Sequence, residues 1–231
     1  MTLADHINSF NRNLRFSGNL PESIRIMNPF RENPLALKTS SAFYKKFYED
    51  HRPRHLIIGI NPGRFGAGVT GVPFTDTKRL EAQCGLKIEG LQTHEPSSVF
   101  VYELIEAYGG VEAFYRDFYI TSICPLGFVK IKENGKEINY NYYDSKALTD
   151  AVRPFIEQTL RAQLEFGIHT DVCFVLGTGK NFKFVKKLNM ELQLFDKVIA
   201  LEHPRYVMQY KYKEKEVYVE RFTGWLKEAA K

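Results

Sequence analysis

The sequence predicts an α/β protein: three α/β/α layers with a central four-stranded parallel sheet, an N-terminal helical edge and a small β-hairpin insertion. Three observations carry this. Four short apolar runs rich in β-branched and aromatic residues, His55–Ile60, Phe118–Ile123, Val172–Leu176 and Val198–Leu201, read as strands. Strands of a parallel sheet are covered on both faces, so they show continuous apolar stretches in place of alternation. Helical segments separate them, Ser97–Tyr108 with Val111–Arg116, Ser145–Phe166 and Asn181–Leu188. The resulting β-α-β-α-β-α-β order implies right-handed crossovers. Lastly, Asn134-Gly135 between the alternating residues of Phe128–Tyr140 is a two-residue hairpin signal.

In chain order, residues 1–50 form the helical edge, with helices over Leu3–Asn13 and Leu35–Glu49 covering one face of the sheet. Residues 54–205 make the core, and residues 206–231 a C-terminal helical segment. With no internal repeat or low-complexity linker, 231 residues fit a single domain, 1–231, able to bury a substantial core. No apolar run approaches the ~20 residues a bilayer requires, and the N-terminus lacks a signal-peptide core. A membrane partner is therefore not expected, and the placement is cytoplasmic. Cys84, Cys124 and Cys173 lie far apart without a CxxC pair, so they read as buried thiols and not as metal ligands. The net charge of +5 suits a polyanionic partner. The basic residues gather in two places: Lys180, Lys183, Lys186 and Lys187, then Arg205, Lys211, Lys213 and Lys215.

Ligands of open parallel sheets bind beyond the carboxyl ends of the strands. Here all four strands run into unusual sequence at that end: Asn61-Pro62-Gly63-Arg64-Phe65-Gly66, Cys124-Pro125-Leu126-Gly127, Gly177-Thr178-Gly179-Lys180 and Glu202-His203-Pro204-Arg205. The glycine spacing of the first is not a dinucleotide fingerprint, and no helix follows at once. The third is not a Walker loop, because the spacing before Lys180 is wrong. By itself the first segment is also compatible with a tight turn whose Asn61 caps a helix. Asp76, the nearest carboxylate to this motif, reads as a helix cap, with a general base as the alternative. Gly177, Thr178, Gly179 and Lys180 precede a helix and suit a phosphate clamp of backbone amides and one cation, or a plain glycine turn with solvated lysines.

Taken whole, Gly59-Ile60-Asn61-Pro62-Gly63 with Phe65-Gly66, then Thr70-Gly71-Val72-Pro73-Phe74, resembles the first motif of the single-strand-selective monofunctional uracil-DNA glycosylases. Ile123-Cys124-Pro125-Leu126 is similar to that family's second-strand end. Leu201-Glu202-His203-Pro204-Arg205 resembles its second catalytic motif. The resemblance implies a monofunctional, metal-independent DNA glycosylase of base excision repair, with no cofactor. Its partner would be single- or double-stranded DNA carrying deaminated bases, with no obligatory protein partner and a monomeric chain. Asn61 is carried over as the residue that positions the attacking water, and His203 as the donor to the base oxygen on which charge develops. Phe74 stacks on the flipped base. Ile60, Gly63 and Ser122 complete the base pocket, while Pro62, Pro204, Arg205 and Tyr206 join the clamp residues in binding DNA. An amide cannot abstract a proton, so on this reading water attacks a largely formed cation.

Two departures qualify the carry-over. Better-known members read uracil with an asparagine where this chain has Ser122, as in a bacterial branch of the family. A rotating hydroxyl discriminates less and leaves room for xanthine or hypoxanthine. The loop after His203 is also shortened, leaving Arg205, Tyr206 and Met208 as alternatives for the wedge into the duplex. Rival readings are a mismatch-specific uracil/thymine-DNA glycosylase, whose second motif begins Asn-Pro, a non-catalytic lesion-binding protein, and an α/β enzyme of free nucleotides. The hairpin either touches DNA or caps the sheet.

Overall fold

The computed structural model describes all 231 residues. Helix α1 (Leu3–Asn13) opens with a capping box in which Thr2 and Asp5 satisfy each other's backbone N–H groups. A short strand β1 (Ile24–Met27) and a single-turn α2 (Pro29–Glu32) lead into α3 (Pro34–Tyr48). The aromatic run of α3 explains its place: Phe43, Tyr44, Phe47 and Tyr48 are all buried, and Phe43 meets Tyr115 edge-on at 5.0 Å. Arg54, fully buried, closes this layer onto the sheet. Its guanidinium donates to Tyr115 O, Arg52 O and the Asp50 carboxylate, so the buried charge is fully paired.

Strand β2 (Arg54–Gly59) follows, buried along its whole length. After it come α4 (Ala67–Thr70), α5 (Thr77–Cys84), α6 (Pro96–Tyr108), α7 (Gly110–Asp117) and β3 (Phe118–Ser122). Then β4 (Gly127–Ile131), β5 (Glu137–Tyr140), α8 (Lys146–Leu164), β6 (Ile168–Leu176), α9 (Lys180–Leu192), β7 (Lys197–Leu201), α10 (Pro204–Tyr210) and α11 (Lys215–Ala229) complete the chain. The four-stranded sheet runs β3-β2-β6-β7, parallel throughout, with Gly59 opposite Ser122 and Leu176 opposite Leu201. The chain leaves β2 to one side for β3 and returns past it to β6. That reversal opens a crevice at the carboxyl ends of β2 and β6, the place where such sheets take ligands.

Three local expectations require correction. The hairpin turn is not the two-residue kind. Lys132 N–H donates to Lys136 O at 2.9 Å and Gly135 N–H to Lys132 O at 2.8 Å, enclosing a three-residue loop with Gly135 at φ +75°. Glycine supplies the left-handed position that a type I turn with a bulge needs. Nor does the hairpin stand alone: β1 pairs antiparallel with β4, giving a second sheet of order β1-β4-β5. Four residues whose partner lies a hundred positions away carry too little local pattern to read as a strand. Finally, a helix does follow the Asn61–Gly66 segment closely, although α4 is only four residues long. The C-terminal helical segment starts at Pro204, where a first-turn proline loses no hydrogen bond. Its α11 packs on α6, with Phe222 edge-on to Phe100 at 5.8 Å.

Candidate active site

A cleft of about 410 Å³ lies at the carboxyl ends of the parallel strands. Into it the fold brings Ile60, Asn61, Pro62, Gly63, Phe74, Ser122, Gly177, Gly179, Lys180, His203, Arg205 and Tyr206. Two anticipated residues do not line it: Thr178 is exposed beside the rim, and Pro204 is buried at the start of α10.

Asn61 follows the central strand and caps no helix. Its Oδ1 accepts the Tyr142 N–H at 3.1 Å, and its Nδ2 donates to Tyr140 O at 3.3 Å. The chain leaving β5 thus holds the amide in one orientation. Phe74 sits at φ +52°, a conformation that a bulky residue adopts only when its surroundings impose it. Thr70 imposes it here, donating from Oγ1 to Thr75 O at 2.7 Å beneath the turn. The ring lies close over Gly59, where a Cβ would meet it at 3.0 Å, and its centroid is 5.6 Å from that of His203. Ser122, opposite Gly59 in the sheet, is buried at the cleft floor.

His203 ends the β7 side and caps α10. Its Nδ1 accepts the Arg205 N–H at 3.1 Å, so Nδ1 presents a lone pair and the ring's proton resides on Nε2. Burial, and secondly the nearby Arg205 charge, depress its pKa to about 4. The residue is therefore a neutral donor at ordinary pH. Gly177 adopts φ +106°, which excludes side chains, and its N–H donates to Leu201 O at 2.7 Å, tying the β6 exit to β7. Asn181 secures the same turn, donating to Leu176 O and accepting from the Tyr142 hydroxyl. Lys180 lies over the Tyr143 ring at 5.8 Å. Of the three residues weighed for a wedge, Met208 packs inward against the core. Tyr206 is 43% exposed and joined on the rim by Tyr210, with ring centroids 5.5 Å apart. Asp76 caps α5 through the Arg79 N–H, as its position suggests, and stays off the cleft.

The motifs do not disclose Glu95, Asn139, Tyr140, Tyr143 or Asn181, all of which line the cleft. They enter from the hairpin, from the first turn of α9 and from the start of α6. The one local signal was the Glu95-Pro96 step heading an apolar helix.

A possible metal set lies elsewhere, at the opposite ends of β2 and β6, where the register slips from Arg54–Ile168 to Leu56–Cys173. This bulge brings His55, His169 and Asp171 within 4.8 Å of one another. However, the two imidazoles stack at 4.3 Å with 20° between their planes. Ligand lone pairs lie in the ring planes, and planes so nearly parallel do not meet at one ion, so this arrangement does not fit a tetrahedral site.

The family model described as the uracil DNA glycosylase superfamily matches residues 45–227. Among solved structures, the crystal structure of wild-type Pedobacter heparinus SMUG2 is similar with a TM-score of 0.97. Identity is 54%, covering 99% of this chain and 98% of that chain. Comparison with curated proteins returned no match.

Proposed function

The chain belongs to the uracil DNA glycosylase superfamily, and from that membership we propose that it hydrolyses the N-glycosidic bond of uracil and of larger deaminated bases flipped out of single- or double-stranded DNA. Water is the nucleophile, and no lysine forms a Schiff base. Lys180, the only lysine lining the cleft, is exposed at the end of a glycine turn, a poor place to desolvate an amine.

One observation carries the reading: His203 is held as a neutral imidazole with its donor on Nε2, in a cleft with Phe74 5.6 Å away. Breaking the glycosidic bond leaves an oxocarbenium-like sugar and a base anion. A fixed donor aimed at the developing oxyanion lowers that barrier without prior protonation. Phe74 stacks on the extruded base, Ile60 and Gly63 bring main chain against it, and Ser122 meets its edge. Asn61, its amide pinned by Tyr140 and Tyr142, orients the water. Pro62, Gly177, Thr178, Gly179 and Lys180 hold backbone phosphates on one side of the cleft. On the other, Pro204 starts the helix that carries Arg205 and Tyr206. The lining offers no metal-ligand set: it holds one carboxylate, and its one imidazole has Nδ1 occupied. The protein works in the cytoplasm as a monomer without an obligatory partner, and no helix is long and apolar enough to cross a membrane.

The test is a panel of labelled oligonucleotides carrying one uracil, xanthine, hypoxanthine or thymine, in both strand forms and with EDTA. Hot alkali then reveals abasic sites. Uracil is expected to be released from both forms, and Asn61→Ala and His203→Ala to lose about 10²-fold or more in rate. Ser122→Asn is expected to narrow the spectrum toward uracil. Binding without cleavage would shift the reading to a lesion-binding protein, and neither would dismiss it. A borohydride-trapped adduct would overturn the water mechanism.

A further inference from the structure

Hydrolysis has a proton to place. When water adds to the sugar carbon, the C–O bond forms, the C–N pair leaves with the base, and the water must shed a proton. The groups assigned so far cannot take it. Asn61 is an amide. His203 has its Nδ1 lone pair committed to the Arg205 N–H, and Nε2 already bears hydrogen. Lys180 and Arg205 are cations, and a tyrosine hydroxyl is itself an acid.

Among the residues lining the cleft a single carboxylate remains, Glu95. Its position is built from both sides. The Glu95 N–H donates to Asp76 Oδ2 at 2.8 Å, and Asp76 is fully buried and takes the Arg79 N–H and guanidinium. Pro96 then begins α6 directly. The carboxylate lies over Gly66, where a Cβ would stand 2.0 Å from Oε2, so a side chain at 66 would collide with it. Although Glu95 is the N-cap residue of α6, its side chain caps nothing, and it forms no ion pair. A half-buried carboxylate that satisfies no donor in the protein is costly to keep for structure alone.

We propose that Glu95 is a catalytic residue, the base that accepts the proton of the attacking water while Asn61 holds that water in line. The proton passes from water to the Glu95 carboxylate, the hydroxyl stays on the sugar, and the departing base keeps the electron pair of the broken bond against His203 Nε2–H. This rests on the glycosylase reading above. The groups facing Glu95 are Asp76, itself paired with Arg79 and near His94, and Arg205 and His203 from the α10 side. Burial, and then Asp76, raise the Glu95 pKa against the opposing pull of Arg205, which makes it a stronger base than a solvated carboxylate.

Single-turnover release of uracil from an oligonucleotide, measured from acid to alkaline pH, tests this with Glu95→Gln and Glu95→Asp. The glutamine variant is expected to lose about 10²-fold in rate, the range of general base catalysis, and to lose the acid limb of the pH–rate profile. Affinity for an uncleavable 2′-fluorodeoxyuridine oligonucleotide is expected to stay unchanged. Glu95→Asp should keep the acid limb at an intermediate rate, which a merely structural role would not do. Two outcomes overturn the proposal: Glu95→Gln with the parental rate and pH profile, or a loss confined to affinity. An inactive parent protein would instead overturn the glycosylase reading, and this proposal with it.

Discussion

At the scale of single residues, the site depends on how few atoms are left free to move. His203 has one nitrogen bound to the main chain of its own helix, so tautomer and ring direction are set together. Its titration follows. An imidazole held neutral, with a folded-state value of about 4, binds no proton where the unfolded chain, with an ordinary value near ~6.5, already does. His203 therefore contributes stability that is present above that unfolded value and is lost as pH falls toward the folded one. Nitrogen-detected NMR should find the Nε2–H tautomer across neutral pH with a midpoint near 4, and a midpoint at or above the ordinary value would refute the assignment. The place of Asn61, Phe74 and His203 in the cleft was legible in the sequence because each sits in a contiguous motif. Glu95 was not, because its meaning depends on Gly66, twenty-nine positions earlier, and on Asp76 beneath it.

Among the elements, α10 shows how one short helix divides its labour. Pro204 and Val207 face the core, while Tyr206 and Tyr210, one turn apart, stand on the rim of the cleft. An exposed aromatic pair beside a cleft that takes a flipped base, as proposed, can fill the gap left in a duplex or stack on a loose strand. Tyr206→Ala is expected to slow release from duplex DNA by about 5-fold, the low end of one stacking contact, and to affect single strands less. Equal loss on both forms would point to strand binding and not to wedging. The parallel sheet and its crossover helices were readable because buried strands and amphipathic helices each leave a contiguous pattern. Strand β1 and the true hairpin turn were not. The first is defined by a distant partner in β4, and the second by the left-handed backbone at Gly135, which shifts the turn by one residue. The hairpin also has a task that its own sequence does not announce, since the chain just beyond it clamps Asn61.

For the whole molecule, a single core cluster extends from Leu3 to Leu226 and takes in side chains from both sheets and both termini. The net charge of +5 is less evenly available than it looks. Lys211 is paired with Glu214 and Lys215 with Glu103, whereas Lys180, Lys183 and Lys186 form no ion pair. Binding to DNA should weaken log-linearly with salt, and Lys180→Ala should reduce the slope by about 1. Lys211→Ala, already neutralised within the chain, should leave the slope unchanged; the opposite ranking would move the phosphate track to the other side of the cleft. The three cysteines lead to a different kind of consequence. All are buried, and burial pushes the Cys84 thiol up to about 11 and Cys124 up to about 12, with Cys173 raised as well. Oxidants and nitrosating agents attack thiolates they can reach. Nitrosating and oxidising chemistry, which also damages DNA bases, therefore meets no ready thiolate on this glycosylase.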